Sequence, residues 1–338
     1  MLRKDTQSNL SQKIRKLSKK LVHGRAIICN FDSMSESTYH TSVLLQECID
    51  GLAINPAGVY VDVTFGGGGH SKEILKHLGP EGRLFAFDQD PDAWKEAEKI
   101  EDERLTLITA NFRYLEKYLR LHRVKQVDGI LADFGVSSYQ LDAASRGFST
   151  RFDGPLDMRM GPSAAMDAKE VLNSYSAEAL QKIFGMYGEV KNARTLALAI
   201  IQARTKKALE TTAEFKEILF KLAPRSREFK YFAQVFQAIR IEVNQEIAVI
   251  EEFLEQVPKV LKTNGRLCVI SFHSLEDRPV KNFIRSGNCE GKEDKDMFGV
   301  VHKPMDAFTR KPIIASEQEL TTNPRSRSAK LRIAIKLK

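Results

Sequence analysis

The chain has 338 residues, 42% of them apolar, a formal charge of +8 and four scattered cysteines. That length holds one large α/β domain and a smaller one, and no run approaches the roughly 18 apolar residues of a membrane span. With no close cysteine pair, neither a disulfide scaffold nor a structural zinc site is expected, and a reducing cytoplasm is the simplest compartment.

Charge is concentrated at the start. Residues 1–38 hold eight Lys or Arg against three Asp or Glu. They lack the apolar core of a secretory signal and read as a basic extension: a solvated tail, a transit peptide or an arm for RNA. The folded part begins at Tyr39-His40-Thr41-Ser42, with His40 either facing a ligand or serving structure, and a short helix follows at 46–51. Residues 59–65 form a buried strand that stops in four consecutive glycines, 66–69, and a helix starts at Ser71. Glycine weakens any regular element, so four together suit a backbone that turns sharply or lies directly against a ligand. The next strand, 82–87, ends in Asp88, 22 positions after Gly66. At that spacing a carboxylate closing the second strand of a doubly wound sheet meets the ribose hydroxyls of an adenosine cofactor. A nicotinamide dinucleotide and S-adenosylmethionine both carry that ribose, so these two features do not choose between a dehydrogenase and a methyltransferase.

Strands at 105–109 and 127–133 alternate with a helix at 114–121. This predicts a parallel sheet with helices on both faces, and it sets Asp88, Phe112 and Asp133 at the strand ends where ligands of such sheets bind. The rhythm breaks at about Leu141. Residues 142–163 are rich in turn formers, and helices follow at 180–187, 194–204 and 213–222. Between Lys191 and Lys230 there are ten basic residues and four acidic ones. A separate helical lobe, 142–235, is therefore the candidate RNA surface, through Arg204, Lys206 and Lys207, unless these are ordinary solvated helix faces. A long helix marked by Phe236, Ile239, Val243, Ile247, Ile250 and Leu254 returns to the sheet at a strand over 266–272, whose end carries His273 and Glu276. Residues 286–328 read as loop. A last strand at 331–337 alternates apolar and charged residues, which suits an edge or hairpin position.

An ordered set of blocks resembles the bacterial small-subunit ribosomal RNA methyltransferase H family, from Tyr39 to about Arg332. The blocks are residues 39–45, the glycine turn, Phe87-Asp88-Gln89-Asp90-Pro91, Asp133-Phe134-Gly135-Val136-Ser137-Ser138, Arg146-Gly147-Phe148-Ser149, residues 153–160, 236–241 and 271–278, and Asn323-Pro324-Arg325-Ser326-Arg327-Ser328. The resemblance implies a class I, Rossmann-like methyltransferase domain, 39–141 plus 236–338, with an inserted helical substrate-recognition domain. It implies S-adenosylmethionine as cofactor and methylation of N4 of a cytidine in the decoding region of 16S rRNA, within the small ribosomal subunit. Gly68, Gly69, His70, Asp88, Phe112, Asp133 and Gln140 match the family's cofactor positions. No metal or membrane is expected, and a homodimer stays open. Two departures stand out: the family carries a second acid where this chain has Val190, and the extension before Tyr39 is outside the shared pattern.

Cytosine N4 is a poor nucleophile because its lone pair is delocalised into the ring, so an acceptor near the amine protons would favour its reactive form. Asp133 is the candidate acceptor, with Ser137 and Ser138 assisting; it could instead hold only the methionine part of the cofactor. Asp157, Met158, Arg159 and His273 are candidates for the wall around the base. A non-catalytic ribosome-assembly factor is the alternative, and it predicts RNA binding without methyl transfer.

Overall fold

The computed structural model describes residues 42–338. The basic extension and His40 lie outside the described residues. Helix α1 (Leu45–Leu52) precedes strand β1 (Val59–Asp62), the glycine turn and helix α2 (Gly69–His77). Strand β2 (Arg83–Phe87), α3 (Pro91–Ala97), β3 (Leu105–Ile108), α4 (Leu115–Leu121) and β4 (Val127–Asp133) follow. After the short α5 (Ser138–Asp142) come α6 (Ala168–Ser174), α7 (Ala177–Gly188), α8 (Ala193–Arg204), α9 (Thr212–Leu222) and α10 (Glu228–Asn244). Helix α11 (Glu246–Val260) leads back to β5 (Leu261–Ser271), then α12 (Ser274–Ser286), β6 (Met305–Ala307), α13 (Glu317–Thr322) and β7 (Lys330–Lys336).

The seven strands lie in the order β3-β2-β1-β4-β5-β7-β6. The first five are parallel, and β7 runs antiparallel to both of its neighbours. Side chains alternate between two covered faces, as a strand's period of two requires. Val61, Ile130, Val269 and Ala334 pack with α4, α11 and α12, while Tyr60, Leu131, Ile270 and Ile333 pack with α1 and α2. The order reverses between β1 and β4, and such a switch point opens a crevice at the strands' carboxyl ends. Helices α6 to α10 bury an apolar cluster of their own, including Leu180, Phe184, Leu196, Phe215 and Phe236.

Three expectations are corrected. Strand β7 is interior, because the short β6 covers its outer side. Its charged residues are tolerated because they reach past the sheet: Arg332 forks onto Asp277 at 2.6 and 3.0 Å, and Lys336 donates to Leu261 O at 2.7 Å. The stretch 286–328 contains β6 and α13 rather than loop alone. The single long helix is two, α10 and α11, because Gln245 adopts a left-handed φ of +51° and its N–H caps the carbonyls of Ile241 and Glu242. Apolar periodicity stays in phase across that residue, so spacing alone does not reveal the break.

Candidate active site

The glycine turn carries β1 into α2 across the crevice. Gly66 and Gly68 take φ of +53° and +75°, a region costly for other residues. A side chain at Gly68 would strike the Phe65 ring at 2.6 Å, and one at Gly69 would strike Ser42 Oγ at 2.0 Å. These two glycines therefore serve close packing. The open room is at Gly67, where an added Cβ would meet nothing within 4 Å. Asp88 is tied to this turn: its Oδ2 accepts the Gly66 N–H and its Oδ1 the Asp90 N–H, both at 2.8 Å. Burial pushes its carboxyl up to about 6, against the pull of these two N–H groups.

Asp133 closes β4 beside the turn. Its N–H donates to Thr64 Oγ1 at 2.7 Å, its Oδ2 lies 4.0 Å from His70 Nδ1, and its Oδ1 is buried with no hydrogen-bond partner among the described residues. Burial, followed by the charges of Asp62 and Glu276, drives its carboxyl well above the usual carboxylate range. Asp62 is itself buried, accepting from Ser71 Oγ at 2.7 Å and the Thr64 N–H at 3.1 Å. Burial lowers the pKa of His70, and its Nε2 sits 3.0 Å from Val43 O, which fixes the proton there and turns the Nδ1 lone pair toward Asp133. Phe112 stacks on Phe134 with ring centroids 5.8 Å apart, and Phe134 leads into Gly135 at φ +99°.

Ser137 and Gln140 form a capping box at the start of α5. Gln140 is buried, and its Nε2 donates to Asp90 Oδ2 at 2.5 Å; Arg146 Nη1 donates to Asp90 Oδ1 at 2.9 Å and Asp92 Oδ2 at 2.8 Å. Gln140 thus braces the loop that carries Asp88, and Ser137 shapes the segment after Asp133. Ser138 is half-buried at the first position of α5.

The substrate candidates are dispersed. Asp157 and Arg159 pair with each other through two contacts of 2.8 Å. Met158 is a correction: it is fully buried at φ +59° in the helical cluster, so it lines no opening. The segment is pinned by Asn244, whose Nδ2 donates to Met158 O at 2.8 Å and whose Oδ1 accepts the Met160 N–H at 2.7 Å. Arg204 donates to Leu172 O at 2.8 Å and the exposed Lys207 pairs with Glu214, which leaves Lys206 as the one of the three without such a contact among the described residues.

At the end of β5, His273 caps α12, and Glu276 Oε2 accepts the Phe272 N–H at 2.7 Å. Burial would raise Glu276, but His273, Arg240 and the Phe272 N–H hold it below its ordinary value. Glu246, His273 and Glu276 bring donor atoms within 4.8 Å of one another, a spacing a metal could use. Arg240 already occupies that role, forking onto Glu246 at 2.7 and 2.9 Å and reaching His273 Nε2 at 3.3 Å. Asp62, Thr64, Arg146, Arg240 and Glu246 were not singled out by the sequence. Thr64 and Arg146 have partners 69 and 56 positions away, whereas Asp62 meets Ser71 nine positions on and Arg240 meets Glu246 six positions on.

The donor set can be tested against a cofactor. Asp62, Asp133 and Glu276 concentrate carboxyl groups at the switch point, which suits a ligand carrying positive charge and opposes the two phosphates of a dinucleotide. The glycine turn leaves room beside Asp88, whose oxygens retain acceptor capacity for a ribose. The fit is to the sulfonium and ammonium of S-adenosylmethionine.

Sheet order, switch-point crevice and acid set define a Rossmann-like, class I methyltransferase. Residues 37–337 match the MraW methylase family, and the chain belongs to it. It is 54% identical over 299 residues to the ribosomal RNA small subunit methyltransferase H of Christiangramia forsetii, covering 88% of this chain and 98% of that relative. The protein of the same name from Cytophaga hutchinsonii is 53% identical over 88% of this chain and 99% of its own. That of Flavobacterium psychrophilum is 55% identical over 87% and 100%.

Proposed function

We propose that this protein methylates N4 of a cytidine in the decoding region of 16S rRNA, in the small ribosomal subunit, with S-adenosylmethionine as donor. The observation that carries the reading is the unpartnered, buried Asp133 Oδ1 at the switch point, beside a glycine turn, in a chain whose relatives carry the name of a small-subunit rRNA methyltransferase.

Bound S-adenosylmethionine supplies an electrophilic methyl carbon next to positive charge. Asp88 holds the ribose hydroxyls and the turn at Gly67 lies along the ligand without a side chain between. Asp133, whose carboxyl is pushed above the usual carboxylate range by burial and by the charges of Asp62 and Glu276, is the acceptor for a proton of the cytosine amine, with Ser137 and Ser138 at the same wall. The work of the site is alignment and exclusion of water, since amine attack on a sulfonium needs no covalent help from the protein. Helices α6 to α10 act as the RNA-recognition lobe, with Lys206 among its cations that have no ion-pair partner among the described residues. Among the described residues no helix is long and apolar enough to cross a membrane, and the reaction belongs in the cytoplasm with its ribosomes.

The test is incubation with labelled S-adenosylmethionine and small subunits from a strain lacking the enzyme, followed by nucleoside analysis. Label in N4-methylated cytidine is expected. RNA binding without label transfer would instead make the protein a non-catalytic assembly factor.

A further inference from the structure

The crevice continues past Asp133. The glycine turn and Asp88 lie over β1 and β2, Asp133 over β4, and a cleft of about 340 Å³ opens over the ends of β5 and β7. In that register Asp133 pairs with Ile270, and Ser271 with Lys330, so these four positions on three strands share one edge of the sheet. Neighbouring strands are about 4.8 Å apart, which sets the cleft one or two strands from the reacting edge.

The cleft is built for a ligand that is anionic on one side and flat on the other. Phe272 and His273 enter from the segment just after β5, Leu320 from α13, Arg327 and Ser328 from the turn Pro324–Ser328, and Lys330 from the start of β7. No Asp or Glu lines it. Among the described residues neither Arg327 nor Lys330 has an ion-pair partner; Asp277, whose carboxyl feels the Lys330 charge, is taken by Arg332 at 2.6 Å. Two unpaired cations above a half-exposed aromatic ring and an apolar floor match a phosphate with its base, and the volume falls within the ordinary range for small-ligand sites. The arrangement also gives a use to the Asn323-Pro324-Arg325-Ser326-Arg327-Ser328 stretch, which the reaction itself does not employ.

We infer that this cleft is the subsite for a nucleotide adjoining the target cytidine in the RNA strand: Arg327 and Lys330 take its phosphate, and Phe272 with the apolar floor carries its base. The inference rests on the function proposed above. It assigns the run of the strand, from the reacting base at β4 across β5 toward β7.

The double substitution Arg327→Gln/Lys330→Gln lies at the surface and leaves the core intact. Its KM for unmethylated small subunits should rise about 10-fold or more, with the S-adenosylmethionine dissociation constant and melting temperature unchanged. The log–log salt dependence of its binding to a single-stranded decoding-region RNA oligonucleotide should fall by about 1.4, at about 0.7 for each lost phosphate contact. Phe272→Leu should weaken the same RNA without changing the slope. An unchanged KM and slope in the double variant overturns the subsite. So does inhibition of the wild type by inorganic phosphate that vanishes in the variant while KM for subunits stays fixed, because the cleft would then be a free-anion site. If the wild type transfers no methyl, the proposed function fails, and the oligonucleotide slope still decides the cleft on its own.

Discussion

At the cofactor edge, the groups that fix Asp88 come from Gly66, 22 positions before it, and Asp90, two positions after it. At the side facing the helical lobe, Arg146 reaches back 56 positions to Asp90, and Asn244 spans 86 and 84 positions to Met158 and Met160. One half of the crevice is a local turn that forms when two strands pair. The other exists only once the lobe is seated. Disturbing the lobe should therefore injure methyl transfer and stability while sparing cofactor binding, and disturbing the turn should do the reverse.

The strongest way to break this contrast is at Arg240, on the lobe's last helix. Arg240→Leu leaves Glu246 and Glu276 buried without their cation, a loss of about 3–5 kcal/mol read from urea unfolding. A cost under about 1 kcal/mol would mean the two halves are not joined through this ion cluster. Next in size is Asp133→Asn, which keeps the shape but loses the charge. Single-turnover rate should fall about 100-fold, on the scale of one preorganised electrostatic partner, with cofactor affinity little changed. A normal rate at saturating cofactor together with weakened binding would assign Asp133 to the cofactor half instead.

Asp88→Ala should weaken S-adenosylmethionine by about 1.5–3 kcal/mol in titration calorimetry, the range for hydrogen bonds to a charged acceptor, with the fold intact. The same residue gives a pH signature. Its carboxyl is pushed up to about 6, so the folded protein holds that proton more tightly than the unfolded chain does. This group's cost to stability sets in as pH rises from about 4, the ordinary value, and is complete above about 6. Asp88→Asn lacks the slope, so the stability difference between wild type and variant should shrink across that window; a constant difference would place the titration elsewhere. The smallest effect is expected at Lys206. Lys206→Ala should lower the salt slope of RNA binding by about 0.7–0.9 and leave the cofactor constant where it was.

Legibility followed the same division. Asp88, Phe112 and Asp133 could be placed from strand ends because a doubly wound sheet carries its ligands there, and the four glycines announced the turn. The split between Gly67, which faces open room, and Gly68 and Gly69, which are closed by Phe65 and Ser42, depends on packing that spacing does not encode. Met158 was misjudged because its neighbours are polar turn formers, yet Asn244 draws the segment inward and buries it. Strand β7 read as an edge or hairpin position because its charges alternate with apolar residues; it does pair antiparallel with β6, the strand before it, and so is no edge. Only the folded chain supplies Asp277 and the Leu261 carbonyl as partners for those charges. The break at Gln245 was invisible for a different reason: one residue in a left-handed conformation changes direction without disturbing the apolar period.

The clasp made by Asn244 has a consequence for how the molecule can be taken apart. The chain enters the lobe through residues 157–160 and leaves it at Asn244, and the two crossings are held within hydrogen-bond distance. An inserted segment whose ends meet can be excised or exchanged without stretching the host, since the gap it leaves is spanned by a short linker. A sheet closed in this way would keep the cofactor turn, and lobes from relatives could be grafted onto it to test the RNA-recognition role proposed for this one. Substrate choice could then diversify in this fold while the methyl-donor half stays as it is.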